Sequence, residues 1–268
     1  MDFRIDFFDN PSKTYYPGEF INGCLLISVK RGEFIKNLLI NIRGGVKVNY
    51  FDDVFHENFF DDKLLVIKDT LLEVGQHTFP FQTRIPEDCP PSLKSNHAYI
   101  KYKAVVVIPG VCNNTKIPFE FFVLSWVPMP FYEANVTSTA NPHWPINKLA
   151  FPKNAFGPGE YINVIINVEE ASAKTVKFYL MKYFWYKRNE NCWGKQYKRK
   201  EKKEIFKIPI VTSNFTTHES LLLPKQLPST LENFKFIEIG YILKIVIRNQ
   251  TFKFPVVIGD YYKSDLRI

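Results

Sequence analysis

The sequence predicts an all-β protein built from two consecutive β-sandwich domains, and three observations favour that class. Aromatic residues make up 16% of the 268 residues, which enriches the chain in residues that favour strands. Apolar and polar residues alternate with a period of two over long segments, and clusters of proline, Asn and Asp separate these segments. A six-residue sequence, Pro-Gly-Glu-Phe-Ile-Asn at residues 17–22, recurs with one substitution at residues 158–163. We find no amphipathic helix pattern.

The alternation predicts individual strands in both halves of the chain. Residues 38–50 form a long half-buried strand, with a bulge or kink expected where Gly44 and Gly45 interrupt the pattern. Residues 100–108 repeat the alternation with Lys101 and Lys103 turned outward. Three further strands are predicted in the second half, at residues 176–186, 236–248 and 252–258.

The repeated sequence predicts a duplicated domain. Pro followed by Gly favours a type II turn, because Pro fixes φ at the first central position and Gly accepts a positive φ at the second. We therefore expect equivalent structural turns at Pro17, Gly18 and at Pro158, Gly159, each before a strand. Proline-rich stretches also precede a strand in both halves, so the order of elements repeats. The predicted organisation is a first sandwich at 1–127, a connector at 128–145, a second sandwich at 146–260 and a short tail at 261–268.

The positive charge is concentrated in one segment. The chain has a formal net charge of +8, and residues 187–203 hold eight basic residues against two acidic ones. The rest of the chain offers little excess charge, so no specific nucleic-acid partner is predicted. The segment falls between two predicted strands, and we interpret it as a turn-rich, exposed hairpin end that reaches an anionic partner. The candidate residues for this patch are Lys195, Lys198, Arg199, Lys200, Lys202 and Lys203.

Cysteine usage and hydropathy indicate a cytoplasmic protein. The four cysteines are far apart and form no Cys-x-x-Cys pair, which is typical of reduced thiols. The N-terminus alternates charged and apolar residues and does not resemble a signal peptide. No apolar run approaches the ~20 residues of a membrane span. We therefore expect any contact with a membrane to be peripheral.

No constellation in the sequence predicts catalysis, and we expect no enzyme, no catalytic residue and no cofactor. His56 lies among five acidic residues at 52–62, which could bind a divalent cation through hard oxygens. Their spacing is irregular, so we interpret the segment as a solvated hairpin loop and predict no metal site. Cys89 with His97 as nucleophile and base is an alternative that no motif supports.

The densest aromatic run is Tyr183-Phe184-Trp185-Tyr186. Strand alternation places Phe184 and Tyr186 on one face and Tyr183 and Trp185 on the other, and the sequence leaves open which pair faces outward. Two outward aromatic side chains next to Lys187 would form a partner surface, whereas packing in an interface is the commoner outcome.

Short motifs along nearly the whole chain resemble arrestins, and more specifically α-arrestins (arrestin-domain-containing proteins). The resembling stretches are Tyr15-Tyr-Pro-Gly-Glu, Ile35-Lys-Asn-Leu-Leu-Ile-Asn-Ile-Arg-Gly, Gly75-Gln-His-Thr-Phe-Pro-Phe-Gln, Ile85-Pro-Glu-Asp-Cys-Pro-Pro-Ser, Ile100-Lys-Tyr-Lys-Ala, Pro158-Gly-Glu and Pro255-Val-Val-Ile-Gly. The resemblance implies two immunoglobulin-like β-sandwich domains, the arrestin N- and C-domains.

The resemblance also implies a non-enzymatic adaptor in membrane-protein trafficking. The expected partners are cytoplasmic regions of membrane proteins, together with ubiquitin ligase or sorting machinery and anionic membrane surfaces. The expected location is the cytoplasm, peripherally at the plasma membrane or endosomes. A scaffold subunit of the retromer type, in endosomal sorting, is the alternative within the same fold.

Two departures from the family pattern shape these expectations. α-Arrestins typically carry Pro-Pro-x-Tyr motifs that recruit WW domains, and the nearest stretches here are Pro90-Pro91-Ser92-Leu93 and Met129-Pro130-Phe131-Tyr132. The first strand also lacks the paired lysines with which visual and β-arrestins sense phosphate. We therefore expect weak WW-domain binding and no phosphate sensing of the β-arrestin type.

Overall fold

The computed structural model describes residues 1–8, 10–50, 53–109, 114–127, 146–150, 153–168, 174–188, 197–212, 216–247 and 250–261. Within these residues the regular secondary structure is entirely β, which confirms the predicted all-β class. The chain divides into two compact units, Met1–Ser125 and Trp126–Ile268. The described part includes no helix with the length and apolar character needed to cross a membrane.

The first unit contains two sheets. Its strands are β1 (Asp2–Phe7), β2 (Thr14–Tyr15), β3 (Phe20–Val29), β4 (Glu33–Tyr50), β5 (Asp53–Leu72), β6 (Gly75–Arg84), β7 (Leu93–Lys94), β8 (Ala98–Ile108) and β9 (Thr115–Val123). One sheet has the order β1-β3-β6, and the other has the order β2-β9-β8-β4-β5 with β7 also pairing with β8. The pairs are antiparallel except for β2 with β9.

The second unit repeats this arrangement. Its strands are β10 (Trp126–Val127), β11 (Ile146–Ala150), β12 (Ala155–Phe156), β13 (Tyr161–Val168), β14 (Lys174–Arg188), β15 (Tyr197–Thr212), β16 (Thr216–Leu222), β17 (Ile237–Ile247), β18 (Gln250–Ile258) and β19 (Asp260–Tyr261). One sheet has the order β11-β13-β16 and the other β12-β18-β17-β14-β15, while β10 pairs with β19 in parallel. Strand for strand, both sheets match those of the first unit.

The Pro-Gly turns of the two units are built alike. The φ angle is +85° at Gly18 and +83° at Gly159, a region that only glycine adopts without strain. In the first turn a carboxylate oxygen of Glu19 accepts a hydrogen bond of 2.9 Å from the backbone N–H of Tyr16. In the second, Glu160 accepts one of 3.0 Å from the N–H of Gly157. The Glu that follows Pro-Gly therefore closes each turn.

A buried tyrosine fixes the proline-rich segment of each unit. The hydroxyl of Tyr102 on β8 donates a hydrogen bond of 2.5 Å to the carbonyl oxygen of Pro90, and that of Tyr241 on β17 donates one of 2.6 Å to the carbonyl oxygen of Pro228. Burial raises the pKa of both phenols. Immunoglobulin-like sandwiches use the same corner to tie a loop to the sheet. The duplication therefore extends beyond strand order to individual hydrogen bonds.

Each core lies between the two sheets of its unit. On β14 the even-numbered residues from Val176 to Leu180 are completely buried, whereas Lys177 between them is exposed and Tyr179 is half-buried. β17 alternates between buried and half-buried residues along its whole length. The pairing of β4 with β5 shifts register between Gly44 and Gly45, where the sequence predicts a bulge.

Two charged segments expected to be loops are strands, which corrects the sequence interpretation. β5 begins at Asp53, so the acidic residues after it lie on a strand and not in a hairpin loop. β15 begins at Tyr197, so Lys198, Arg199, Lys200, Lys202 and Lys203 lie on a strand and not in a turn-rich stretch. The long strands β4 and β14 lie opposite the acidic and the basic segment, respectively. Because pairing with these strands satisfies the backbone N–H and C=O groups, each segment forms a strand whatever the charge of its side chains.

Several predicted features lie outside the described residues. They are the connector at 128–145, the tail beyond Tyr261, Asp52, Lys195, Cys112 and Cys192. The two cysteines in the described part, Cys24 and Cys89, are buried and form no disulfide.

Candidate functional site

Strand alternation divides the predicted basic patch between two faces of one sheet. In the β14–β15 pair, Lys200 lies opposite Trp185 and Lys202 opposite Tyr183. Arg199 and Lys203 point to the other face. Lys198 pairs in register with Lys187, and Lys195 lies outside the described residues. The six candidate residues therefore do not form one continuous patch.

The structure settles which aromatic side chains face outward. Phe184 and Tyr186 share the core face of β14 with Phe178 and Leu180 and are almost completely buried. Tyr183 and Trp185 lie on the opposite, outer face of the sheet, where Tyr183 is buried and Trp185 is half-buried. Their rings stack with a centroid separation of 5.6 Å and an interplanar angle of 17°.

Lysines surround these outward rings. The Nζ atom of Lys200 lies 5.0 Å from the ring centroid of Tyr183 and 5.4 Å from that of Trp185, and Lys202 lies 5.9 Å from the Tyr183 centroid. A second group forms further along β14, where Lys207 and Lys244 lie 5.5 and 5.0 Å from the Tyr179 centroid. Lys253 of β18 pairs with Lys244 and continues this row. We call this surface the lysine–aromatic face, and it comprises Tyr179, Tyr183, Trp185, Lys200, Lys202, Lys207, Lys244 and Lys253.

An open cavity of about 450 Å³ lies on this face. The apolar side chain of Ile242 and the ring of Tyr183 line it together with three lysines. Those lysines, with the remaining lining residue Thr251, are Lys202, Lys244 and Lys253. None of these lining residues is acidic, so the cavity offers an anion several ammonium groups beside an apolar surface.

Gly240 allows the indole of Trp185 to lie against the sheet. A Cβ atom at residue 240 would stand 3.0 and 3.1 Å from Cζ3 and Cη2 of Trp185. Those distances are shorter than ordinary carbon–carbon contacts, so any larger residue would push the ring outward. The absence of a side chain at Gly240 therefore shapes the face.

The charges of the lysine–aromatic face are largely unneutralised. Glu238 forms an ion pair with Lys187 at the edge of the face. Among the described residues, Lys200, Lys202, Lys244 and Lys253 take part in no ion pair. An ammonium over an aromatic ring is stabilised modestly, by about 0.5–1 kcal/mol at an exposed site, so these lysines remain available to an anionic ligand.

The equivalent face of the first unit differs in charge. There Lys101 on β8 forms an ion pair of 3.0 Å with Glu120, and Arg43 on β4 forms one of 3.2 Å with Asp61. Lys47 shares this face and lies 5.9 Å from the Tyr99 centroid, with no ion pair among the described residues. The first face therefore neutralises part of its cations with carboxylates, whereas the second leaves its five lysines without them.

The opposite face of β15 is also positive at one point. Lys203 lies opposite Lys182, whose half-buried ammonium has a lowered pKa, chiefly through burial and next through the charge of Lys203. The negative charge of Glu201 raises the pKa of Lys182. The carboxylate of Glu201 also accepts a hydrogen bond of 3.0 Å from the hydroxyl of Tyr186.

The other sequence candidates have different surroundings. Asp61 pairs with Arg43, Asp62 accepts a hydrogen bond from the hydroxyl of Thr83, and His56 lies opposite Lys47. In the part of the chain that the structure describes, no three His, Cys, Asp or Glu side chains are grouped to hold a metal ion. Burial raises the pKa of Cys89 to about 11, which leaves the thiol protonated at neutral pH and a poor nucleophile.

The sequence interpretation missed half of the lysine–aromatic face. Tyr179, Lys207, Lys244 and Lys253 come from four strands that are neighbours only after the sheet forms. The sequence does place each of these residues on the polar side of an alternating segment. Those positions form one surface only once the register of β14, β15, β17 and β18 is known.

Comparisons with known proteins agree with this architecture. The model of the arrestin (or S-antigen) N-terminal domain matches residues 3–121, and that of the arrestin C-terminal domain matches residues 146–261. Arrestin domain-containing protein 17 of Caenorhabditis elegans is 22% identical over 296 residues, an alignment that covers 94% of this chain and 69% of the relative. Two arrestin domains in order, built on sandwiches of matching topology, show that the chain belongs to the arrestin family and is α-arrestin-like.

Proposed function

We propose that this arrestin-type adaptor acts in membrane-protein trafficking. It would hold cytoplasmic segments of receptors or transporters and bring sorting or ubiquitin-ligase machinery to them, at the cytoplasmic side of the plasma membrane or of endosomes. The observation that carries the proposal is the lysine–aromatic face, because its five lysines form no ion pair among the described residues.

The face suits a charged protein segment better than a small metabolite. Its cavity is open and its lysines are spread over three strands, β15, β17 and β18, which matches an elongated ligand. Exposed lysines also steer an acidic partner electrostatically, so binding would be fast and sensitive to salt. These properties favour regulated, reversible capture of cargo, with no role in catalysis.

Proximity labelling in cells tests this function. The full chain is compared with Lys200→Glu/Lys202→Glu and with a matched control, Lys63→Glu/Lys68→Glu, which changes the net charge equally on exposed positions of β5. We expect receptors or transporters and sorting proteins to be labelled by the wild type and the control and to be lost with the β15 variant. If the wild type and Lys200→Glu/Lys202→Glu instead label the same set of endosomal coat subunits, cargo binding is contradicted and a retromer-type scaffold is favoured.

A further inference from the structure

β15 lies at the edge of its sheet. The sheet has the order β12-β18-β17-β14-β15, and within the described residues β14 is the only strand that pairs with β15. Alternate backbone N–H and C=O groups of an edge strand point away from the sheet, where they can pair with an additional strand. β15 is sixteen residues long, so this edge could pair with an extended segment of considerable length.

The charges on β15 determine which strand can approach. Lys200 and Lys202 are exposed on the lysine–aromatic face, and Lys203 is exposed on the opposite face. Lysines on an edge strand repel basic strands, and they disfavour pairing with a neutral strand because their ammonium groups would lose water; this is a common protection of sheet edges. The same lysines attract a strand whose acidic side chains lie directly opposite them.

The equivalent edge strand of the first unit has the opposite charge at its corresponding end. β5 occupies the same place in its sheet as β15 and carries Glu57, Asp61 and Asp62. Charge of either sign would protect an edge strand against aggregation. Recruitment of an acidic strand requires positive charge, and of the corresponding ends of β5 and β15 only that of β15 is positive. Charge therefore selects one edge and one class of occupant.

The face opposite the lysine–aromatic face adds a second attraction. Lys203 and Lys182 lie opposite each other and their like charges repel, which contributes to the lowered pKa of Lys182. A carboxylate brought next to Lys203 would reduce this repulsion. Glu201, between Lys200 and Lys202 in the sequence, would instead repel a carboxylate placed opposite it.

We propose that an acidic extended segment of a partner protein adds to the outer edge of β15 as a sixth strand. Acidic side chains would lie opposite Lys200, Lys202 and Lys203, and a neutral or basic side chain opposite Glu201. The segment therefore has the pattern acid–x–acid–acid if it runs parallel to β15 and acid–acid–x–acid if it runs antiparallel. The inference rests on the proposed function, because it names the kind of segment that the adaptor holds.

The test measures binding of a labelled peptide that contains Asp-Asp-Ser-Asp-Asp, which holds the pattern for both strand directions, to the full-length chain by fluorescence anisotropy. A second peptide of identical charge carries N-methyl groups on alternate amides, which removes the strand-forming N–H donors. We expect N-methylation to weaken binding about tenfold or more, since several backbone hydrogen bonds are lost. Equal affinity of the two peptides would overturn strand addition, and this comparison needs no variant of the protein.

Charge exchange tests the register. Lys200→Glu/Lys202→Glu should lose affinity for the acidic peptide by about tenfold or more. It should gain affinity for Asp-Lys-Ser-Lys-Asp, which in either direction places its lysines opposite the new glutamates and an Asp opposite Lys203. Lys63→Glu/Lys68→Glu should behave as wild type. Stronger self-association than peptide binding would overturn the proposal by assigning the edge to the acidic β5 of a second copy. Anionic vesicles give a further outcome. If the chain binds them, the acidic peptide does not displace them, and N-methylation of the peptide makes no difference, the lysines are assigned to a membrane surface and the proposal is overturned.

The two proposals fail in distinguishable ways. If the peptides do not bind but proximity labelling still returns membrane proteins that the β15 variant loses, strand addition is wrong and the adaptor function stands. If the peptide binds as expected but labelling returns no membrane proteins, β15 accepts acidic strands and the trafficking function is wrong.

Discussion

At the scale of single residues, the structure depends on a few positions that occur in both units. Tyr102 and Tyr241 each tie a proline-rich segment to the sheet through a buried hydroxyl. A buried carbonyl that loses its donor remains unsatisfied, which costs about 1–3 kcal/mol. The two tyrosines should therefore make similar contributions to stability although they are 139 residues apart.

Replacing either tyrosine with phenylalanine tests this equivalence. We expect Tyr102→Phe and Tyr241→Phe each to lower stability by about 1–2 kcal/mol, measured by urea unfolding. Tyr99→Phe is the control, because among the described residues the Tyr99 ring contacts lysines and its hydroxyl is not hydrogen-bonded. A cost confined to one of the two units would show that the corners are not equivalent.

Gly240 provides the second prediction at this scale. Gly240→Val should displace the Trp185 ring and lower stability by about 1–3 kcal/mol through overpacking. The double variant Gly240→Val/Trp185→Leu should recover part of that loss, since the clash partner is smaller. Thermal unfolding of the four proteins gives the coupling between the two positions. Additive losses would mean that the indole does not depend on Gly240.

At the scale of strands, periodicity predicted most of the fold but failed at the charged segments. β3 and β13 follow the two Pro-Gly turns, as the repeated sequence predicts. The first part of β15 was interpreted as a turn-rich hairpin end, because five of the six residues from Lys198 to Lys203 are basic and such a run resembles a solvated loop. Pairing with β14 decides its structure, and such long-range pairing is not visible in local sequence.

The pH dependence of stability provides a prediction for β14. The folded pKa of Lys182 lies below its unfolded value, so the protonated side chain destabilises the native state at neutral pH. The unfolded chain binds more protons between the two pKa values, and stability from this group therefore rises with pH until the unfolded pKa of about 10.5 is passed. Lys182→Met should be more stable at pH 7 and should lack this rise relative to wild type.

Chemical denaturation of wild type and Lys182→Met at a series of pH values gives this difference directly. Lys203→Gln is the companion variant, because removing the neighbouring charge should raise the pKa of Lys182 and reduce the rise without altering the β14 side chain. Identical pH profiles for the three proteins would show that Lys182 is solvated in the folded state.

At the scale of the whole molecule, duplication produced two sandwiches of the same topology with different outer faces. The first pairs Lys101 with Glu120 and Arg43 with Asp61, whereas the second collects lysines without ion pairs around Tyr183 and Trp185. The sequence indicated the duplication through one repeated turn. It could not indicate the lysine–aromatic face, because four strands contribute to it and only their register brings the residues together.

Each unit has its own core, which predicts independent folding. Residues 1–125 and 126–268 expressed separately should each unfold cooperatively, as measured by circular dichroism and hydrogen exchange. Only the second fragment should bind the acidic peptide. Binding by the first fragment alone would show that the lysine–aromatic face is not the binding surface.

Site-specific photo-crosslinking in cells tests the central claim most directly. A photoreactive phenylalanine analogue replaces Trp185 on the lysine–aromatic face, or Tyr161 as a control, which is exposed on the smaller sheet of the same unit. The adaptor account predicts that crosslinks at residue 185 fall on acidic cytoplasmic segments of membrane proteins and are absent at residue 161. Crosslinks at residue 185 to proteins without such segments, or the same products at both positions, would contradict it.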